Sequence, residues 1–109
     1  MSYNIIAVPT FRKELKRLAK KYNSLKKEIA ALFESLEDNP VQGRPLGRNC
    51  YKIRLSISSK GKGKSGGARL ITNIVIAEET VYLLSIYEKS EKENLTDKEL
   101  EELLKYVPE

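Results

Sequence analysis

The stretch Tyr51-Lys52-Ile53-Arg54-Leu55-Ser56-Ile57 alternates apolar and polar residues with a period of two, the pattern of a half-buried strand. Such a strand buries Tyr51, Ile53, Leu55 and Ile57 and turns Lys52 and Arg54 to the opposite face. It lies inside a segment, Val41 to Ala77, that holds eight Lys or Arg residues and no Asp or Glu. A sheet face with aligned cations suits a polyanion, most simply a nucleic-acid backbone, because each phosphate neutralised releases condensed counterions.

The formal charge of +5 understates this asymmetry, since residues 78–109 carry ten acidic and four basic positions. A basic middle with an acidic tail fits binding of an anionic partner on one face while the tail limits non-specific attachment. At 109 residues the expectation is one domain, 1–109, with a single core and no obligatory disulfide or metal staple. A chain 40% hydrophobic and 32% charged belongs with soluble globular proteins. No apolar run approaches the roughly 20 residues of a membrane span, and Ile5 to Val8 is too short for a signal-peptide core. The expected location is therefore the cytoplasm, with no membrane partner. Cys50 is the single cysteine and reads as a packed thiol, and histidine is absent. The usual imidazole acid/base is thereby removed, a zinc site is disfavoured, and no cofactor is expected.

Asn4 to Val8 reads as an opening strand, after which Pro9-Thr10 supplies a stop and an N-cap. Phe11, Leu15, Leu18, Ala19 and Tyr22 then fall on one helical stripe, with Lys13, Lys16, Arg17, Lys20 and Lys21 on a solvated face. Asn23-Ser24 interrupts the pattern, which restarts at Leu25, Ile29, Leu32, Phe33 and Leu36, so the two helices form a hairpin. Residues 38–49, with Pro40, Gly43, Pro45 and Gly47, read as a loop of fixed turns. Strands are expected at Tyr51–Ile57, Ala68–Ala77 and Thr80–Tyr87, joined as an antiparallel meander, with Glu78-Glu79 as a tight connection. Thr96-Asp97-Lys98-Glu99 is a capping box that opens a last helix carrying Leu100, Leu103, Leu104 and Val107 on one face. The fold class is α+β.

Gly61-Lys62-Gly63-Lys64-Ser65-Gly66 spells GxGxxG, but a dinucleotide loop must open a helix and the residues after Gly67 read as a strand. A Walker A loop fails too, because Ser58 stands where its first glycine belongs. What remains is a glycine-rich loop whose amides, with Lys60, Lys62 and Lys64, can approach a phosphate closely. Arg69 follows this loop near the start of a strand. A register that pairs the two strands closely puts it on one face with Lys52 and Arg54, and like charges collect in strands chiefly where an anion balances them.

Cys50-Tyr51-Lys52-Ile53-Arg54-Leu55, Ala68-Arg69-Leu70 and Ser85-Ile86-Tyr87-Glu88-Lys89 together resemble the RelE/ParE superfamily of bacterial toxins. Gly63 to Arg69 is most similar to HigB-like members. The resemblance implies a RelE-like fold: an N-terminal strand, a helical hairpin, an antiparallel three-strand meander completing a small sheet, and a C-terminal helix. It also implies a toxin of a type II toxin–antitoxin system that cleaves mRNA in the ribosomal A site and is held inactive by an antitoxin encoded beside it. Lys52 and Arg54 then lie on the active-site strand, Arg69 at the family's phosphate-contacting arginine, and Lys89 at a further basic position. The chain departs from RelE where RelE has a catalytic tyrosine near the start of the last helix, since that position is about Leu95 here. Tyr87 is the nearest aromatic hydroxyl.

Attack of a 2′-OH on the adjacent phosphate needs a proton removed, charge stabilised and a proton delivered to the leaving oxygen. Arginine serves only the second task, because its guanidinium stays protonated, so Arg54 and Arg69 are assigned to the phosphate. Lys52 and Lys89 are the acid/base candidates, with Tyr87 or Glu88 as alternates, and Arg48, Lys60, Lys62 and Lys64 are RNA-binding candidates. This chemistry needs no metal. The rival readings are a ParE-type inhibitor of DNA gyrase and a non-catalytic RNA-binding domain.

Overall fold

The computed structural model describes residues 2–60, 66–92 and 94–108. Lys62 and Lys64 lie outside the described residues. The chain forms β1 (Asn4–Ala7), α1 (Pro9–Lys21), α2 (Leu25–Asp38), β2 (Arg44–Gly47), β3 (Cys50–Leu55), β4 (Ala68–Val75), a short 3-10 turn (Ile76–Glu78), β5 (Thr80–Glu88) and α3 (Asp97–Leu104). The strands make one mixed sheet in the order β1-β5-β4-β3-β2, with β1 parallel to β5 and every other pair antiparallel.

The anticipated meander is β3-β4-β5, and the α+β expectation holds. Two details differ from the sequence reading. Residues 38–49 are not loop throughout: Arg44–Gly47 adds an edge strand, with Arg44 opposite Lys52 and Pro45 opposite Tyr51. Proline is tolerated there because one side of an edge strand needs no ladder donor. The two-residue connection Arg48-Asn49 has positive φ at both positions (56° and 61°), as a type I′ hairpin turn requires. Second, α1 begins at Pro9 and not after a Thr10 cap. Val8 is the N-cap without any side-chain bond, and Pro9 supplies a preset helical φ where no amide partner is needed.

Phe11 and Leu18 of α1 and Leu25, Ile29 and Leu36 of α2 are buried, so the hairpin covers the sheet with the stripe its spacing foretold. Strand alternation places Ile53, Leu70 and Ile86 in one cross-strand row of the core. The Thr96 capping box is formed in full, with Glu99 N donating to Thr96 Oγ1 at 3.1 Å and Thr96 N to Glu99 Oε1 at 3.0 Å. Leu100 and Leu103 then anchor α3. Gly67 is fixed by close approach: a Cβ there would sit 2.0 Å from the Leu55 carbonyl oxygen, so only glycine lets the start of β4 close on the end of β3. No described helix is long and apolar enough to cross a membrane.

Candidate active site

The register of the meander decides which charges meet. Arg54 of β3 lies directly opposite Arg69 of β4, and Arg69 lies directly opposite Tyr87 of β5. These three form one transverse row on the sheet face turned away from the Ile53–Leu70–Ile86 core. Lys52 stands two residues from Arg54 on the same face, opposite Arg44 of β2 and Ile71 of β4. Arg44, Lys52, Arg54 and Arg69 are therefore a patch of four cations spread over three strands. Arg44 was missed as a site residue because its segment read as loop. Four residues with a proline show no alternation of their own, so the sequence carried no strong signal for it.

Burial grades the patch. Arg54 is exposed and Lys52 half-buried, whereas Arg69 is only 4% exposed and Tyr87 equally so. An Arg69 guanidinium nitrogen donates to the Ala68 carbonyl at 3.1 Å. Its pKa is lowered from the ordinary value by burial and by Arg54, with Tyr87 opposing. Burial, then Arg44, Arg69 and Arg54, likewise lower Lys52, whose ammonium donates to Asn94 Oδ1 at 3.3 Å. The Tyr87 phenol is shifted the other way, upward, by burial, with Arg69 opposing and Glu99 and Glu14 adding to the rise. Its hydroxyl has no hydrogen-bond partner within the described residues, an unusual expense for a buried polar group. The Lys92 ammonium lies 5.8 Å from the centre of the Tyr87 ring.

Two cavities adjoin the patch. One, of about 710 Å³, runs between α2 and β3 with Arg44, Lys52 and Arg54 in its wall. The other, of about 430 Å³, is lined by Arg44, Lys52, Asn94 and Leu95. Leu95 thus sits beside Lys52 and brings no hydroxyl to it.

The remaining candidates lie elsewhere. Lys89 is exposed just beyond β5, its amide bonded to the Gly67 carbonyl at 3.1 Å, and its side chain borders a cavity with Lys60 and Gly66. Lys60 turns to the helix side and pairs with Glu88 at 3.0 Å, only 12% of its side chain being exposed. Arg48, in the β2–β3 turn, forms an exposed ion pair with Glu101 of α3 at 3.3 Å. Glu88 follows Tyr87 but faces the opposite side of the sheet. Although burial alone would raise its pKa, hydrogen bonds from Tyr22, Lys60 and Lys21 bring it down to about 2. It is an anchored carboxylate outside the row.

Sequence reasoning also missed Glu14. Where β1 ends, the edge of β5 is left open, and Glu14 of α1 closes it by accepting from Ser85 Oγ at 2.9 Å and from Ile86 N at 3.3 Å. This carboxyl holds the strand immediately before Tyr87.

A model of the family described as the RelE toxin of the RelE/RelB toxin–antitoxin system matches residues 10–108. The chain belongs to this family. Among solved structures, an arginine-to-alanine double mutant of the Escherichia coli toxin RelE in the free state is similar with a TM-score of 0.63 at 18% identity, covering 99% of this chain and 100% of that one. The toxin–antitoxin complex RelBE2 from Mycobacterium tuberculosis gives a TM-score of 0.59 at 22% identity, covering 81% of this chain and 99% of that one. The isolated E. coli RelE toxin gives 0.52 at 20% identity, over 97% and 100% of the two chains. At such identities these structures establish a shared RelE fold.

Proposed function

We propose that this RelE-family chain is a metal-independent endoribonuclease that cleaves mRNA on the ribosome and so arrests translation in the cytoplasm. The observation that carries this reading is the row Arg54–Arg69–Tyr87 with Lys52 beside it. Arg54 and Arg69 meet the scissile phosphate and the charge that builds on it in the phosphorane, which preorganised donors in a dry site stabilise strongly. Lys52, shifted toward neutrality, takes the 2′-proton. Tyr87 holds its proton, because burial raises its pKa, and delivers it to the departing 5′-oxygen. Guanidinium groups supply the charge that a metal supplies in other nucleases. In this reading the exposed Lys89 and Arg48 contact the RNA beyond the row, and positioning of the mRNA by the ribosome contributes part of the acceleration.

The regulatory partner in this reading is a cognate antitoxin encoded beside the toxin. The similar M. tuberculosis toxin occurs in a toxin–antitoxin complex, and a patch of four cations calls for an acidic segment as its counter-ligand. The cations at Lys52, Arg54 and Arg69 on one sheet face argue against a ParE-type gyrase inhibitor. Primer extension on translated and on free mRNA, with and without EDTA, tests the proposal. Expected are chelator-insensitive cuts confined to ribosome-bound message. Gyrase poisoning without RNA cuts would replace this reading with the ParE one.

A further inference from the structure

The opposite side of the sheet from Arg69 and Tyr87 holds a cluster that the proposed chemistry does not use. Glu88, the last residue of β5, is wholly buried and pairs across the ladder with Ala68, the residue before Arg69. Its carboxylate accepts from Lys60 Nζ and Lys21 Nζ, each at 3.0 Å, and from the Tyr22 hydroxyl. The two ammonium groups also lie 5.3 and 5.6 Å from the centre of the Tyr22 ring. A second set of bonds fixes the chain just before Lys60. Glu28 of α2 accepts from Ser58 N at 2.7 Å and Ser58 Oγ at 2.8 Å, and Ser59 N donates to Ser24 Oγ at 3.0 Å. The segment that leaves β3 is thus fastened to the turn between α1 and α2 and, through Lys60, to the end of β5.

We propose that Glu88 is a positioning residue, which through Lys60, Lys21 and Tyr22 locks the open ends of β4 and β5 in the register that aims Arg69 and Tyr87 at the phosphate. This deepens the nuclease reading and rests on it. A buried carboxylate with three donors is rigid, and it lies one residue from Tyr87 and one cross-strand step from the residue before Arg69. Displacement of reacting groups by about 1 Å costs on the order of 100-fold in rate. The same geometry gives Lys60 a structural partner and removes it from RNA contact.

Lys60→Met, Glu88→Gln and the double variant test this in single-turnover cleavage on programmed ribosomes, with ribosome affinity measured alongside. Each single variant is expected to lose about 30- to 100-fold in the cleavage step, with affinity changed less than about threefold and the double variant no worse than the poorer single one. Lys60→Met leaves Glu88 its bonds to Lys21 and Tyr22, so it decides the matter if Glu88→Gln does not fold. Amide exchange in folded Lys60→Met gives a readout without activity: exchange at Ala68–Arg69 and Tyr87–Glu88 should quicken about tenfold or more while the middle of both strands is unchanged. Loss of affinity without loss of cleavage would make Lys60 an RNA contact and overturn the proposal, as would unchanged cleavage and exchange. If the wild-type chain makes no cut at all, the nuclease reading fails, while the exchange result still reports whether Glu88 sets the register.

Discussion

Tyr87 separates stability from chemistry more cleanly than any other side chain here. Its buried hydroxyl has no partner among the described residues, so Tyr87→Phe removes an unpaid desolvation cost and should leave the melting temperature unchanged or higher. If the phenol delivers the proton, cleavage should still fall on the order of 100-fold. Equal activity in a folded Tyr87→Phe protein would pass that role to Lys89 or a neighbouring lysine. Lys52 is tested by pH. Its pKa lies below the ordinary 10.5, so the fraction of free base, and with it the cleavage rate, should rise with pH and level off at that lowered value. Arg44 is one of the cations that lower it, so Arg44→Ala should move the inflection to higher pH. A profile that does not respond would take the base role away from Lys52. Lys52, Arg54 and Arg69 could be read from sequence, because alternation assigns faces. The burial of Arg69 and Tyr87 could not, since alternation assigns a face and does not say what packs against it.

Among the elements, the periodic ones were legible and the irregular ones were not. The stripes of α1 and α2 and the capping box of α3 each rest on contacts within a few residues, which the sequence spells directly. β2 escaped notice because four residues with a proline carry little pattern of their own and become a strand only through pairing with β3. The anchoring of Glu88 was equally hidden: its place beside Tyr87 made it an alternate proton carrier, whereas its partners come from the end of α1, from Tyr22 just beyond it and from the segment after β3. That anchor has a pH signature. With a folded pKa of about 2 against the usual 4.5, Glu88 contributes its full stabilisation above about pH 4.5 and loses it as pH falls toward 2. The difference corresponds to about 3 kcal/mol. Glu88→Gln should therefore be less stable at neutral pH by about that amount, and its stability should decline less steeply between pH 4.5 and 2. Parallel acid-unfolding curves for the two proteins would mean that another carboxylate governs this range.

Seen as a whole, the molecule spreads four cations over one sheet face while its acidic residues gather in the last third of the chain. Two partners compete for that face in the proposed reading, RNA and an acidic segment of the antitoxin. Rim charges act mainly on encounter, so antitoxin association should slow steeply between low and moderate salt, with dissociation much less affected. An association rate indifferent to salt would locate the antitoxin away from the patch. The central claim is that the cross-strand row acts on the scissile phosphate, and Arg69 is its middle member. The direct measurement is single-turnover cleavage of mRNA on programmed ribosomes by the wild-type chain and by Arg69→Ala, with circular dichroism confirming the fold of both. Loss of one preorganised charge on a developing oxyanion costs about 3 kcal/mol, so the expected result is a drop on the order of 100-fold with the fold retained. Undiminished cleavage by a folded Arg69→Ala protein would contradict the account.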